Sequence, residues 1–127
     1  MPIRVAQIGT GNVGAHALKA LITNPAYELT AVWVSSEAKA GKDAAELIGL
    51  DTVTGITATT DLDEVLATKP DCAVYTAMAD NRLMEALEDY RRILAAGVNV
   101  VGSGPVFLQW PWQVIPDEMV APIEDAA

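Results

Sequence analysis

Gly9, Gly11 and Gly14 form the residue pattern with the most chemistry in this 127-residue chain. They stand as Gly9-Thr10-Gly11-Asn12-Val13-Gly14, with an apolar, strand-length run (Ile3–Ile8) before them and a helical pattern directly after. Each glycine has its own task in such a turn. Gly9 permits the tight bend, Gly11 removes the side chain where a pyrophosphate must approach, and Gly14 lets the helix pack closely on the strand. The free N–H groups at the helix start, with the positive end of the helix dipole, then favour anionic phosphates. These residues imply a dinucleotide site. A glycine turn kept only for packing is the competing reading, and the strand-turn-helix context weighs against it.

Further candidates lie where later strands end. The second strand runs into Ser35-Ser36, with Lys39 and Lys42 just beyond. An NAD site usually places a carboxylate there for the ribose hydroxyls. Hydroxyls and cations suit a 2′-phosphate instead, which a carboxylate would repel. The pattern therefore favours NADP, while Glu37, two positions late, keeps NAD open. Small residues follow the fourth and fifth strands, as Thr76-Ala77 and Gly102-Ser103-Gly104. A nucleotide lying across the carboxyl edge of an open sheet needs such residues, although glycine after a strand is also an ordinary turn. His16, early on the first helix, reads as solvated, and Cys72, in an apolar run, as core filler. The chain has one His and one Cys, which leaves zinc chemistry without ligands. No nucleophile-elbow or P-loop pattern is present.

The elements that must position these groups alternate regularly. A helix over 12–23 carries an apolar stripe at Val13, Ala17, Ala20 and Leu21, and Asn24-Pro25 stops it. Strands are predicted over 28–34, 55–59 (short, near the sheet edge), 72–76 and 98–101. A short helix over 43–48 closes at Gly49. Another begins at Asp61, with Glu64 completing a capping box. The strongest helix spans 81–96, with Leu83, Leu87, Tyr90 and Leu94 buried and Gly97 as its stop. This is an α/β pattern, a Rossmann-like doubly wound parallel sheet with strand order 3-2-1-4-5. Residues 1–105 form the dinucleotide-binding domain, and 106–127 read as a linker and the start of a helix. Two of the three tryptophans, Trp110 and Trp112, fall in that proline-broken segment and suggest a cap or an interface. Pro122 fits the first turn of a helix over 121–127, too short to stand alone, so the chain reads as cut before a further domain.

Length and composition set the remaining bounds. The chain is one domain with 51% hydrophobic residues, enough to bury a core. A formal net charge of −9 argues against nucleic acid or an anionic membrane as partner. The lone cysteine suits a reducing compartment, and neither a signal peptide nor an apolar run of spanning length is visible. The expectation is a cytoplasmic protein.

With the glycine turn, Ser35-Ser36, Tyr75-Thr76-Ala77 and the stretch Val100-Val101-Gly102-Ser103-Gly104-Pro105, the chain resembles the N-terminal domain of dihydrodipicolinate-reductase-like proteins. The nearest branch is the NAD(P)H-dependent amine dehydrogenases and 2,4-diaminopentanoate dehydrogenase. The likeness covers nearly the whole chain and is most specific over 99–112 with Pro116. It implies that Gly9, Thr10, Gly11, Asn12 and Val13 hold the pyrophosphate, and that Ser35, Ser36 and Lys39 meet the adenosine ribose and its phosphate. Thr76 and Ala77 then border the adenine side, Gly102 and Ser103 the nicotinamide end, and 107–112 leads toward the active-site cleft. Family members continue into an α+β domain that carries most substrate contacts and a homodimer interface. The implied reaction is hydride transfer between NAD(P)H and an imine or amine, with this chain alone incomplete for catalysis. A non-catalytic nucleotide-binding module is the alternative. The glucose–fructose oxidoreductase type usually has Glu-Lys-Pro after its fifth strand; Gly104-Pro105 here has no lysine near it. No catalytic acid is identified: Asp80, Tyr75 and Glu118 are available but unplaced.

Overall fold

The computed structural model describes residues 1–79, 81–109, 111, 112 and 114–127, the Phe107 side chain excepted. Five strands form one sheet: β1 (Ile3–Ile8), β2 (Tyr27–Trp33), β3 (Ala58–Thr59), β4 (Cys72–Tyr75) and β5 (Asn99–Gly102). Their order is β3-β2-β1-β4-β5 and every adjacent pair is parallel. The expected topology is therefore the observed one. Parallel strands must be buried on both faces, and the side-chain alternation of the central strands divides the core accordingly. Ala6, Ile8, Ala31, Trp33, Ala73 and Tyr75 pack with Leu62, Val65, Ala86 and Ile93 in one cluster. Leu18, Val32, Val34, Ala44 and Ala58 make the other.

These clusters are completed by α1 (Asn12–Thr23) and α2 (Ala44–Leu47) on one side of the sheet, and by α3 (Leu62–Ala67) and α4 (Leu83–Ala95) on the other. The bounds of α1 match expectation, but its buried row is Gly14, Leu18 and Leu21. Val13, placed on the apolar stripe by periodicity, is 58% exposed. The phase is set by Gly14, which must abut the turn; Leu18 and Leu21 then fall four and seven residues on, on the same face. In α4 the fully covered residues are Ala86, Leu87 and Ile93, while Leu83, Tyr90 and Leu94 are half-buried. A final helix, α5 (Asp117–Ala126), packs along α4. Two neighbours, the sheet and α5, widen the apolar band of α4 beyond a single row.

Two local expectations are corrected. The start of α3 is capped by Asp61, whose carboxylate accepts from the Asp63 amide at 2.9 Å, but Glu64 does not close a capping box. The Thr59 hydroxyl stands between them: it accepts from the Asp61 amide at 3.0 Å and donates to Glu64 at 2.7 Å. Helix α5 begins at Asp117, so Pro122 lies in its interior and not in its first turn. Asp117 and Glu118 occupy that first turn, where acidic groups suit the dipole. Among the described residues no helix is long and apolar enough to cross a membrane.

Candidate functional site

The chain passes from β1 outward to β2 and β3, then returns across the sheet to β4 beside β1. Between the carboxyl ends of β1 and β4 the connections therefore diverge, which opens a crevice at that edge. A cavity of about 470 Å³ occupies this place, within the size range of small-molecule sites. Its lining includes Gly9, Thr10, Gly11, Asn12 and Val13 after β1, Ser35, Ser36 and Lys39 after β2, Thr76 and Ala77 after β4, and Ser103 after β5. Eleven of the twelve residues singled out by sequence thus share one cavity. Gly102 is the exception. It stays in β5, where a Cβ would stand 1.8 Å from the Tyr90 hydroxyl, so its small size makes room for a tyrosine and not for the cavity.

The glycine turn has the geometry its sequence demands. Gly9 adopts φ +99°, and a Cβ there would lie 2.7 Å from the Ala77 amide nitrogen. At Gly14 a Cβ would meet the Gly9 carbonyl oxygen at 2.3 Å and the Thr76 hydroxyl at 2.6 Å. Nothing lies within 4 Å of a Cβ built on Gly11, so its open side faces free space along the cavity wall. The Gly9 amide is spent on the Trp33 carbonyl at 2.9 Å, and the first helical bond runs from Ala15 to Gly11 at 2.7 Å. Among the described residues no acceptor engages the amides of Thr10, Gly11, Asn12 or Val13. A helix end with uncommitted donors beside an open cavity suits an anion.

Gln7 holds this turn from below and was not anticipated. It is fully buried, and its Nε2 donates to the Gly9 carbonyl and to the Thr76 hydroxyl, both at 2.9 Å. The Thr76 hydroxyl in turn lies 3.2 Å from the carbonyls of Ile8 and Gly9. The turn is thereby tied to the end of β4 through side chains as well as backbone. The signal was present: Gln7 is the uncharged polar residue inside an otherwise apolar strand core, and such a residue needs partners when buried.

At the end of β2 the polar groups divide. Lys39 reaches across to Thr10, its Nζ 3.2 Å from the hydroxyl and 3.4 Å from the carbonyl, with no carboxylate partner among the described residues. Glu37 turns away and accepts from the Thr60 hydroxyl at 3.3 Å; neither it nor Lys42 lines the cavity. Arg82 and Trp33 line it as well, and neither was singled out as a site residue.

Of the three groups considered for catalysis, neither Tyr75 nor Glu118 lines this cavity. Tyr75 is fully buried, donates to Asp89 at 2.7 Å and accepts from Arg82 at 3.0 Å. Burial first, then the Asp89 carboxylate, pushes its hydroxyl well above the ordinary tyrosine range. Such a group is closed to substrate. Glu118 sits on the exposed first turn of α5, and Asp80 lies outside the described residues. Tyr90 packs against Tyr75 with ring centroids 4.8 Å apart and the planes inclined at 45°, and it donates to the Gly104 carbonyl at 2.6 Å; burial raises its pKa to about 12. Burial likewise pushes the Cys72 thiol up, which fits a packing role. In the segment predicted to approach the cleft, Val106 lines the cavity within a short 3-10 turn (Val106–Gln109), and Trp112 is 45% exposed. Trp110 lies outside the described residues.

Comparison with known proteins gives a consistent set of likenesses. Residues 3–101 match the family described as dihydrodipicolinate reductase, N-terminus. An amine dehydrogenase of Streptomyces virginiae is 47% identical over 93 residues, covering 73% of this chain and 26% of that protein. The chain thus spans about a quarter of the length of that curated relative. The solved amine dehydrogenase of Mycobacterium smegmatis superposes with a TM-score of 0.87 at 26% identity, over 100% of this chain and 36% of that one. GenD2 from gentamicin A biosynthesis, solved with NAD, gives a TM-score of 0.67 at 25% identity, over 98% of this chain and 32% of its own.

Proposed function

The chain belongs to the dihydrodipicolinate reductase N-terminus family, and from that premise we propose that it is the NADP-binding domain of an amine dehydrogenase-type oxidoreductase. The observation that carries this reading is the cavity at the divergence of β1 and β4, with the uncommitted amides of 10–13 on its wall. Its residues fit a dinucleotide: Gly11 leaves a cradle that a side chain would fill, and the amides beside it match a diphosphate in charge and direction. Ser35, Ser36 and Lys39 hold the adenosine ribose with its 2′-phosphate, Thr76 and Ala77 flank the base, and Ser103 lies toward the nicotinamide. Two observations support the phosphorylated coenzyme. Among the described residues Lys39 is a cation paired only with neutral oxygens, and Glu37 is turned onto Thr60. NAD is the second reading, favoured by the GenD2 likeness.

When bound, the coenzyme supplies a hydride, here exchanged with an imine or amine carbon. The work of this chain is to orient the dinucleotide along the strand ends and to shield one side of the reacting ring from water. Substrate contacts, the proton donor and a homodimer interface belong to the remaining length of the amine dehydrogenase-like parent.

Calorimetric titration of the chain with NADPH and NADH tests the reading. Saturable binding at one site with preference for NADPH is expected, and no binding of either coenzyme contradicts it. Ser35→Asp should then shift the NADPH/NADH affinity ratio toward NADH by about 1–3 kcal/mol, the range for losing a hydrogen bond to a charged group and adding repulsion. An unchanged ratio removes Ser35 from the phosphate site.

A further inference from the structure

The Arg82 guanidinium has an arrangement unlike that of a solvated surface arginine. Its Cζ stands 5.4 Å from the Trp33 ring centroid. One edge is fully used: Nη1 donates to the Tyr75 hydroxyl at 3.0 Å and Nη2 to Asp89 Oδ2 at 3.3 Å. The same Asp89 oxygen accepts from Tyr75 at 2.7 Å, closing a three-residue ring. Trp33 is itself locked, its Nε1 donating to the Thr60 carbonyl at 3.0 Å. The Arg82 side chain keeps 24% exposure, Asp89 13%, and Arg82 lines the cavity together with Trp33 and Ala77.

We propose that Arg82, backed by Trp33, is a preformed stacking platform for the adenine base of the dinucleotide. The assignment rests on the nucleotide-site reading above and adds a residue to it. A guanidinium is planar and weakly hydrated on its faces, so a face turned to a cavity accepts an aromatic base. With Trp33 near it and its edge tied to Tyr75 and Asp89, its rotamer is fixed before ligand arrives, so little ordering entropy is lost on binding. Charge decides between base and phosphate. Asp89 already balances Arg82, and a phosphate approaching it meets that carboxylate; Lys39, on the β2 side, has only the Thr10 oxygens among the described residues. The two cations therefore divide the adenosine end: Lys39 takes the phosphate and Arg82 the base.

The test compares the wild-type chain with Arg82→Ala and Arg82→Lys in titrations with NADPH and NADH, each variant checked by thermal melting. Arg82→Ala should weaken both coenzymes by the same factor, about tenfold, the scale of base stacking on a cation or ring. Arg82→Lys keeps the charge and loses the plane, so it should show a similar loss; it carries the test alone if the alanine variant does not fold. NMR titrations at millimolar concentration separate the halves of the ligand: 5′-AMP binding falls with the variants, and reduced nicotinamide mononucleotide binding does not. A loss confined to NADPH, full rescue by lysine, or equal loss for both mononucleotides overturns the base assignment. Unchanged affinity in a folded variant overturns it too. A wild-type chain that binds neither coenzyme overturns the nucleotide-site reading itself, and that is read before any variant.

Discussion

Gly14→Ala is expected to destabilise the chain by about 2 kcal/mol, against the usual benefit of alanine in a helix. That benefit is about 1 kcal/mol when a helix-interior glycine is replaced. The opposing effect is larger here. The new methyl group would lie 2.3 Å from the Gly9 carbonyl oxygen and 2.6 Å from the Thr76 hydroxyl. The first contact is with backbone that cannot swing aside, because the turn is held by Gln7 and by the bond from the Gly9 amide to Trp33. Overpacking of this kind costs roughly 3 kcal/mol at the upper end of the usual range, which leaves the net loss stated. Urea unfolding should show a lower midpoint at an unchanged slope. A midpoint at or above wild type would mean that α1 can lift from the turn without cost.

Gly11→Val should do the reverse: keep the fold and abolish coenzyme binding. A Cβ at position 11 meets nothing within 4 Å, so the unliganded chain accommodates it. Valine is a poorer N-cap than glycine, a loss of about 1 kcal/mol. The branched side chain then stands in front of the amides of 10–13, where a diphosphate must come within hydrogen-bonding reach. Losing two hydrogen bonds to a charged group, each about 1.5–3 kcal/mol, lowers NADPH affinity by at least about a hundredfold. Circular dichroism and calorimetry on the same sample check both halves. Undiminished affinity in the folded valine variant places the diphosphate elsewhere.

The contrast between these two glycines shows why so much of the geometry of the candidate site is legible in the sequence. A G-x-G-x-x-G turn encodes its constraints in the backbone: one positive φ, one open side and one close approach, each met here by the glycine assigned to it. The strand order was legible for a similar reason, since strands and helices alternate along the chain and their ends are marked by caps and prolines. Helix phase was not. Periodicity put Val13 and Ala20 inward on α1, but both are exposed: the contact of Gly14 with Thr76, 62 residues away and just past β4, turned the helix to bury Leu18. The Arg82–Tyr75–Asp89 ring was hidden for the same cause. Trp33 reads only as β-prone, and its meeting with Arg82 depends on β2 and α4 sharing one face of the sheet. Helix α5 was misplaced because a proline costs a helix interior a hydrogen bond and so reads as a first turn, whereas Pro122 lies inside a longer helix that packs along α4. Gln7, by contrast, is readable in the sequence as a polar residue inside an apolar strand, where burial requires the partners it has.

The central claim about the molecule is that the amides after β1 receive the diphosphate. Backbone amide shifts of the isotope-labelled chain during an NADP+ titration report on this directly. The expected result is saturable change concentrated at Thr10, Gly11, Asn12 and Val13, with smaller movement at Ser35, Ser36 and Ala77. Saturation with those four amides unmoved, or no saturation at any coenzyme concentration, would contradict it.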